Sequence, residues 1–131
     1  MNSQQEKIIQ ETFIASNEGR IHFGEVVGQL IEASVESYTV DYRSHRTTYH
    51  LLNDETVTLY MLPSEHGIAD AFSAAAVQSA IKGAQQGVVM YPEFKRLSMQ
   101  AGCTGYTVWI AGRHVTYYGR KGETHVEYFP N

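Results

Sequence analysis

The sequence predicts an α+β fold of two similar helix–helix–three-strand halves. They form a mostly antiparallel sheet with helices packed on one side. Three observations carry this prediction. The chain matches itself at an offset of 68 residues, with twelve identities and no gap between residues 8–61 and 76–129. Ordinary residue usage gives roughly three such identities by chance. Tyr38-Thr39-Val40 falls on Tyr106-Thr107-Val108, Thr48-Tyr49 on Thr116-Tyr117, Glu55-Thr56 on Glu123-Thr124, and Gly19 on Gly87. Each half also reads as two segments of helical period followed by three of strand alternation. Finally, the linker from Leu62 to Ala71 is short and contains Pro63 and Gly67. It reads as a crossover between interdependent halves, so residues 1–131 are expected to form a single domain.

Ser3-Gln4-Gln5-Glu6 has capping-box spacing and predicts a helix start, with Ile9, Phe13 and Ile14 on the apolar face. Asn17 to Gly19 ends that helix. A second covers about 23–34, where Phe23, Val26, Val27, Leu30 and Ile31 recur at helical spacing. Alternation at Tyr38, Val40 and Tyr42 predicts a strand. Turns near Arg43-Ser44 and Asn53-Asp54 separate it from strands at Arg46–Leu51 and Thr56–Met61. In the second half Ser73 caps a helix that Gly87 ends. Tyr91-Pro92-Glu93 opens another, because proline at the first helical position gives up no needed hydrogen bond. Gly102 stops it. Tyr106, Val108 and Ile110 share one strand face. Val115 and Tyr117 carry the next strand, Gly119 to Gly122 turn the chain, and Thr124–Phe129 is the last strand.

Composition narrows the function. Ten Lys and Arg face fourteen Asp and Glu, a formal charge of −4, so no basic nucleic-acid footprint is present. The 43% apolar fraction supports a folded core. No apolar run approaches the length of about 18 residues that a spanning helix needs, so no transmembrane insertion is expected. Met1 to Lys7 is polar and no apolar stretch follows, so no secretory leader is expected. A single cysteine, Cys103, permits no internal disulfide and fits a cytoplasmic location.

No chemical motif closes. Six histidines are dispersed without a His-Glu-x-x-His helix. His114, His125 and Glu127 are the one trio that strand pairing could gather, on the face away from Tyr106–Ile110. The expectation is no metal and no cofactor. Cys103 would need a nearby base to act as a nucleophile, and no Gly-x-Ser-x-Gly elbow occurs. Gly119-Arg120-Lys121-Gly122 reads as a hairpin turn, with Arg120 and Lys121 as candidate anion contacts. Most of the nine tyrosines fall in or beside strands and should pack with their hydroxyls at the rim. Trp109, Tyr118 and Phe129 alternate onto a second face, opposite Val108 and Tyr128. That face is expected to be covered, to bind a small ligand, or to form an interface such as a homodimer.

Several segments resemble one family. Tyr91-Pro92-Glu93-Phe94, Ala101-Gly102-Cys103, Tyr117-Tyr118-Gly119-Arg120 and Gly122-Glu123-Thr124-His125-Val126-Glu127 are similar to the carboxyl half of bacterial domain-of-unknown-function family 1398. Gly67-Ile68-Ala69-Asp70-Ala71-Phe72 resembles its central segment. Members are often labelled phage envelope protein. The resemblance implies a small bacterial or prophage-associated protein and transfers no catalytic residue. The expected function is therefore a noncatalytic binding or protein-interaction domain whose partner is a protein or small molecule. The alternative is a small hydrolase-like enzyme using histidine, carboxylate or cysteine chemistry.

Overall fold

The alternating segments pair into one antiparallel sheet, and the helical segments cover one of its faces. The computed structural model describes residues 1–130. Helices α1 (Ser3–Asn17) and α2 (Phe23–Glu32) precede strands β1 (Val35–Asp41), β2 (Arg46–Leu51) and β3 (Thr56–Tyr60). The pattern then repeats as α3 (Ala74–Gln85), α4 (Tyr91–Gln100), β4 (Cys103–Trp109), β5 (His114–Gly119) and β6 (Thr124–Tyr128). The strand order is β3-β2-β1-β4-β5-β6, so the two three-stranded meanders join along β1 and β4. Their register sets Thr39 opposite Thr107, with Tyr38 against Val108 and Val40 against Tyr106. Thr39 and Thr107 are each other's counterparts at the offset of 68, and their hydroxyl oxygens lie 3.0 Å apart. A local two-fold axis therefore passes between them.

The same relation governs the backbone. Left-handed residues occur in pairs at that offset: Gly19 with Gly87, Ser34 with Gly102, His45 with Arg113, and Asp54 with Gly122. Bulges follow the same rule, between Val35 and Ser37 in β1 and between Cys103 and Gly105 in β4. Only one member of the Ser34/Gly102 pair must be glycine. A Cβ on Gly102 would lie 2.2 Å from the Ala71 carbonyl oxygen, because the linker crosses there. The linker is held by Ala69 N–H donating to Met99 O and Ser73 N–H to Ala101 O.

Two local expectations change. The first helix is capped by Asn2, one residue earlier than the Ser3 spacing indicates. Asn2 accepts from Gln5 N–H while the Gln5 side chain accepts from Asn2 N–H. Shifting the box by one residue keeps both orphan amides satisfied. The buried face of α1 is Ile9, Thr12 and Ala15, with Phe13 half-buried and Ile14 48% exposed. Thr12 can turn inward because its hydroxyl donates to Gln29 Oε1 of α2 at 2.7 Å.

The core lies between sheet and helices. Tyr38, Val40, Tyr49, Leu51, Tyr106, Val108, Val115 and Tyr117 face Ile9, Val26, Leu30, Val77, Phe94 and Met99. The opposite sheet face is open. A row of hydroxyl side chains, Thr58, Thr48, Thr39, Thr107 and Thr116, crosses it from strand to strand.

The last strand corrects a face assignment. Gly119 N–H donates to Glu123 O, so Tyr118 pairs with Thr124 and Tyr117 with His125. This register puts His125 and Glu127 on the helix-covered side with Tyr117 and Val115, and Phe129 packs against the core there. Tyr128, 71% exposed, goes to the open side instead. Because strand side chains alternate strictly, the turn length decides the face of the whole strand.

Candidate functional site

The helix layer does not close completely onto the sheet. A cavity of about 510 Å³ lies between them, lined from both halves. The α1–α2 and α3–α4 connections meet across the local two-fold, with Gly19 against Pro92 and Gly87 against His22. Residues from both connections line the helix side of the cavity.

Tyrosines dominate the sheet side. Tyr38 and Tyr49 come from the first half, and their offset counterparts Tyr106 and Tyr117 from the second; Tyr91 enters from α4. Ring centroids are 5.4 Å apart for Tyr38 and Tyr49, and 5.5 Å for Tyr106 and Tyr117. Phe94 stands edge-on to Tyr106 at 6.2 Å. Such tilted and T-shaped pairs satisfy the ring quadrupoles. Next to the cavity, the Tyr42 hydroxyl lies 2.7 Å from Ser98 Oγ. The Tyr91 hydroxyl lies 3.8 Å from Met61 Sδ. Among the described residues, the hydroxyls of Tyr38, Tyr49 and Tyr117 have no hydrogen-bond partner, although each residue is buried.

Burial holds these phenols protonated. Desolvation, and then neighbouring tyrosines, push Tyr38 and Tyr106 well above the ordinary tyrosine value. Tyr49 and Tyr117 move the same way. Burial pushes Tyr91 up to about 12, with the Tyr106 and Tyr42 hydroxyls offsetting part of the effect. The cavity therefore presents neutral donors that can also accept.

One side of this cavity is polar. Glu127 lines it. Its Oε1 lies 3.5 Å from His125 Nε2, which in turn lies 3.0 Å from Gln78 Oε1. The counterparts of His125 and Glu127 in the first half are Val57 and Leu59, so the polar edge breaks the local symmetry.

The remaining sequence-derived candidates lie elsewhere. Trp109, His114 and Tyr118 are on the open face. Trp109, His114 and Tyr128 stand in one row, with centroid separations of 6.2 and 5.7 Å. Trp109 Nε1 donates to Thr116 Oγ1, and the Tyr118 hydroxyl to Thr107 Oγ1. Phe129 packs edge-on against Phe23 on the helix side. The sheet thus separates His114 from His125 and Glu127. Among the described residues, no group of three or more His, Cys, Asp and Glu is placed to hold a metal ion. The Arg120 guanidinium donates to Ile68 O and Ala69 O, tying the last hairpin to the linker. Lys121 N–H donates to Glu123 Oε1 within the turn. Cys103 is fully buried, and burial pushes its thiol up to about 12, which suppresses thiolate nucleophilicity.

Composition and alternation predict tyrosines packed on the sheet with hydroxyls at the rim; the core tyrosines pack on the helix-covered face and line the cavity there. The available signal was their position: Tyr38, Tyr49, Tyr106 and Tyr117 all alternate onto the core face and recur at the offset of 68.

A family model described as "Protein of unknown function (DUF1398)" matches residues 5–127, nearly the whole chain. No curated protein matches the chain in sequence. No helix is long and apolar enough to cross a membrane, among the described residues.

Proposed function

Since the chain belongs to the DUF1398 family, described only as of unknown function, we propose a role from the cavity itself: noncatalytic binding of a small molecule between the helices and the sheet. The observation that carries this reading is the set of unpartnered hydroxyls on buried Tyr38, Tyr49 and Tyr117 beside a cavity of about 510 Å³. Among the described residues the one fully enclosed side-chain polar atom without a partner is His45 Nδ1, so these hydroxyls keep access to the cavity space and can donate to or accept from whatever fills it. Well-packed interiors hold few voids larger than a water molecule. A ligand with an apolar body and a few polar atoms answers both features, and the volume lies in the usual range for such sites.

Titration with indole, followed by calorimetry and by amide chemical-shift mapping, tests this. Shifts should map to Tyr38, Tyr49, Tyr106 and Tyr117, and Ala84→Phe should abolish binding by filling the cavity. Unaltered binding by Ala84→Phe, or shifts confined to the open face, would overturn the reading. A cytoplasmic location belongs to the same reading, supported by the single unpaired thiol, which a reducing compartment preserves.

A second reading is association through the open face, favoured by the Trp109–His114–Tyr128 row. Trp109 is 40% exposed and Tyr128 more so. Sedimentation across a concentration series tests it, and a constant monomer mass removes it.

A further inference from the structure

We infer that the tyrosine-lined cavity takes an organic cation, a protonated amine carried on an aromatic or similarly apolar body, with Glu127 as its counter-ion. The inference rests on the cavity being a ligand site and adds the charge and class of the ligand.

Among the described residues the lining contains one side-chain carboxylate, Glu127, one imidazole, His22, and neither Lys nor Arg. The helix ends that reach the cavity do not alter this balance. The starts of α2 and α4, at Phe23 and Tyr91, are matched by the ends of α1 and α3, at Asn17 and Gln85. Their opposed partial charges offset one another. Two imidazoles stand near, His22 in the lining and His125 beside Glu127, and the Arg113 guanidinium stacks on Phe129 from outside the lining; the one lining side chain of fixed charge is negative.

Glu127 is also an anomaly of placement. It occupies a helix-facing position of β6 whose counterpart in β3 is Leu59. Removing a carboxylate from water costs free energy unless a charge or donor answers it. Its side chain is 25% exposed, and among the described residues its one charged partner is His125 Nε2 at 3.5 Å. That nitrogen sits nearer the Gln78 oxygen, at 3.0 Å. Gln78 Oε1 can only accept, so His125 Nε2 carries the hydrogen and directs it mainly toward Gln78. The Glu127 carboxylate keeps acceptor capacity for a ligand. Its field reaches the tyrosine lining, where it contributes to raising Tyr117.

Ring faces complete the site. Tyr38, Tyr49, Tyr91, Phe94, Tyr106 and Tyr117 line the cavity. An ammonium group over such faces gains attraction from the ring quadrupoles, more strongly where water is excluded. The unpartnered tyrosine oxygens can accept from its remaining N–H groups. A ligand carboxylate would instead meet Glu127 as a like charge.

Calorimetric titration of the full chain with tryptamine, tryptophol and indole-3-propionate tests this, because the three share one ring system and differ in head group. Tryptamine should bind at least about tenfold tighter than tryptophol, with the propionate weakest. Glu127→Gln should bring tryptamine to the tryptophol level and change tryptophol binding far less than tryptamine binding. Glu127→Leu, the residue of the symmetry-related strand, should do the same and guards against a folding defect in the first variant. Equal binding of amine and alcohol, or preference for the propionate, would overturn the cation assignment and leave the cavity reading standing. No binding of any of the three would overturn both.

Discussion

The Tyr42–Ser98 hydrogen bond offers a quantitative test of how the two halves are joined. Tyr42 follows β1 and is 2% exposed; Ser98 lies in α4 and is fully buried. Their oxygens are 2.7 Å apart, and Ser98 Oγ donates to Lys95 O at 3.0 Å. Ser98 spends its single hydrogen on Lys95, so the Tyr42 O–H donates to Ser98. The local two-fold carries Tyr42 to Ile110 and Ser98 to Leu30, so the other half has apolar residues at these positions. Ser98→Ala leaves a buried phenol donor unanswered and should cost about 2 kcal/mol. Tyr42→Phe removes the donor while Ser98 keeps its Lys95 acceptor, and should cost about 1 kcal/mol. The double variant should lose about 1.5 kcal/mol, because no unanswered donor is left behind. The coupling is then about 1.5 kcal/mol. Urea unfolding followed by circular dichroism measures all four chains. A single transition in each is the expected outcome if the β1–β4 pairing makes the halves unfold as one cooperative unit. Additive costs, within about 0.5 kcal/mol, would refute the hydrogen-bond argument. Two separate transitions would refute the single-domain reading.

Gly102→Ala should lose about 3 kcal/mol in the same assay, because a Cβ would meet the Ala71 carbonyl oxygen at 2.2 Å on a backbone with φ of +90°. Ser34→Gly, at the counterpart position, should stay within about 1 kcal/mol of the native chain, since no equivalent crossing segment is required there. Alkaline pH should destabilise the protein. Tyr38, Tyr42, Tyr49, Tyr91, Tyr106, Tyr117 and Cys103 all have folded values raised by burial. Raised folded values mean that the folded state holds protons the unfolded state releases. Their contribution is complete below the unfolded values, about 8.5 for cysteine and 10 for tyrosine, and is lost as pH rises beyond them. The melting temperature should fall steadily above about pH 9, with tyrosinate absorbance appearing as the fold is lost. Absorbance from those phenols in a chain still folded would contradict this. Cys103 should resist a thiol reagent at about pH 8 and react once denatured.

Local chemistry determined a large part of this molecule from sequence. Repeated residues such as Tyr38 and Tyr106, or Gly19 and Gly87, marked two equivalent halves. Proline at the start of α4 and glycine after it bounded a helix because those residues restrict or free the backbone locally. Alternation at Tyr38, Val40 and Tyr42 marked a half-buried strand because side chains reverse at every residue. The face of β6 was not legible in the same way. It depends on how the Gly119–Glu123 turn closes, and an alternative register would have exchanged His125 and Glu127 with Val126 and Tyr128. Only the tertiary structure therefore divided the candidates, placing Trp109, His114 and Tyr118 on one side of the sheet and His125, Glu127 and Phe129 on the other. The cavity lay further still from the sequence. Its volume follows from where two helix connections meet across a two-fold axis and how far they hold the helices from the sheet. No spacing along the chain encodes that distance, since it is set by side chains far apart in sequence that touch only after folding.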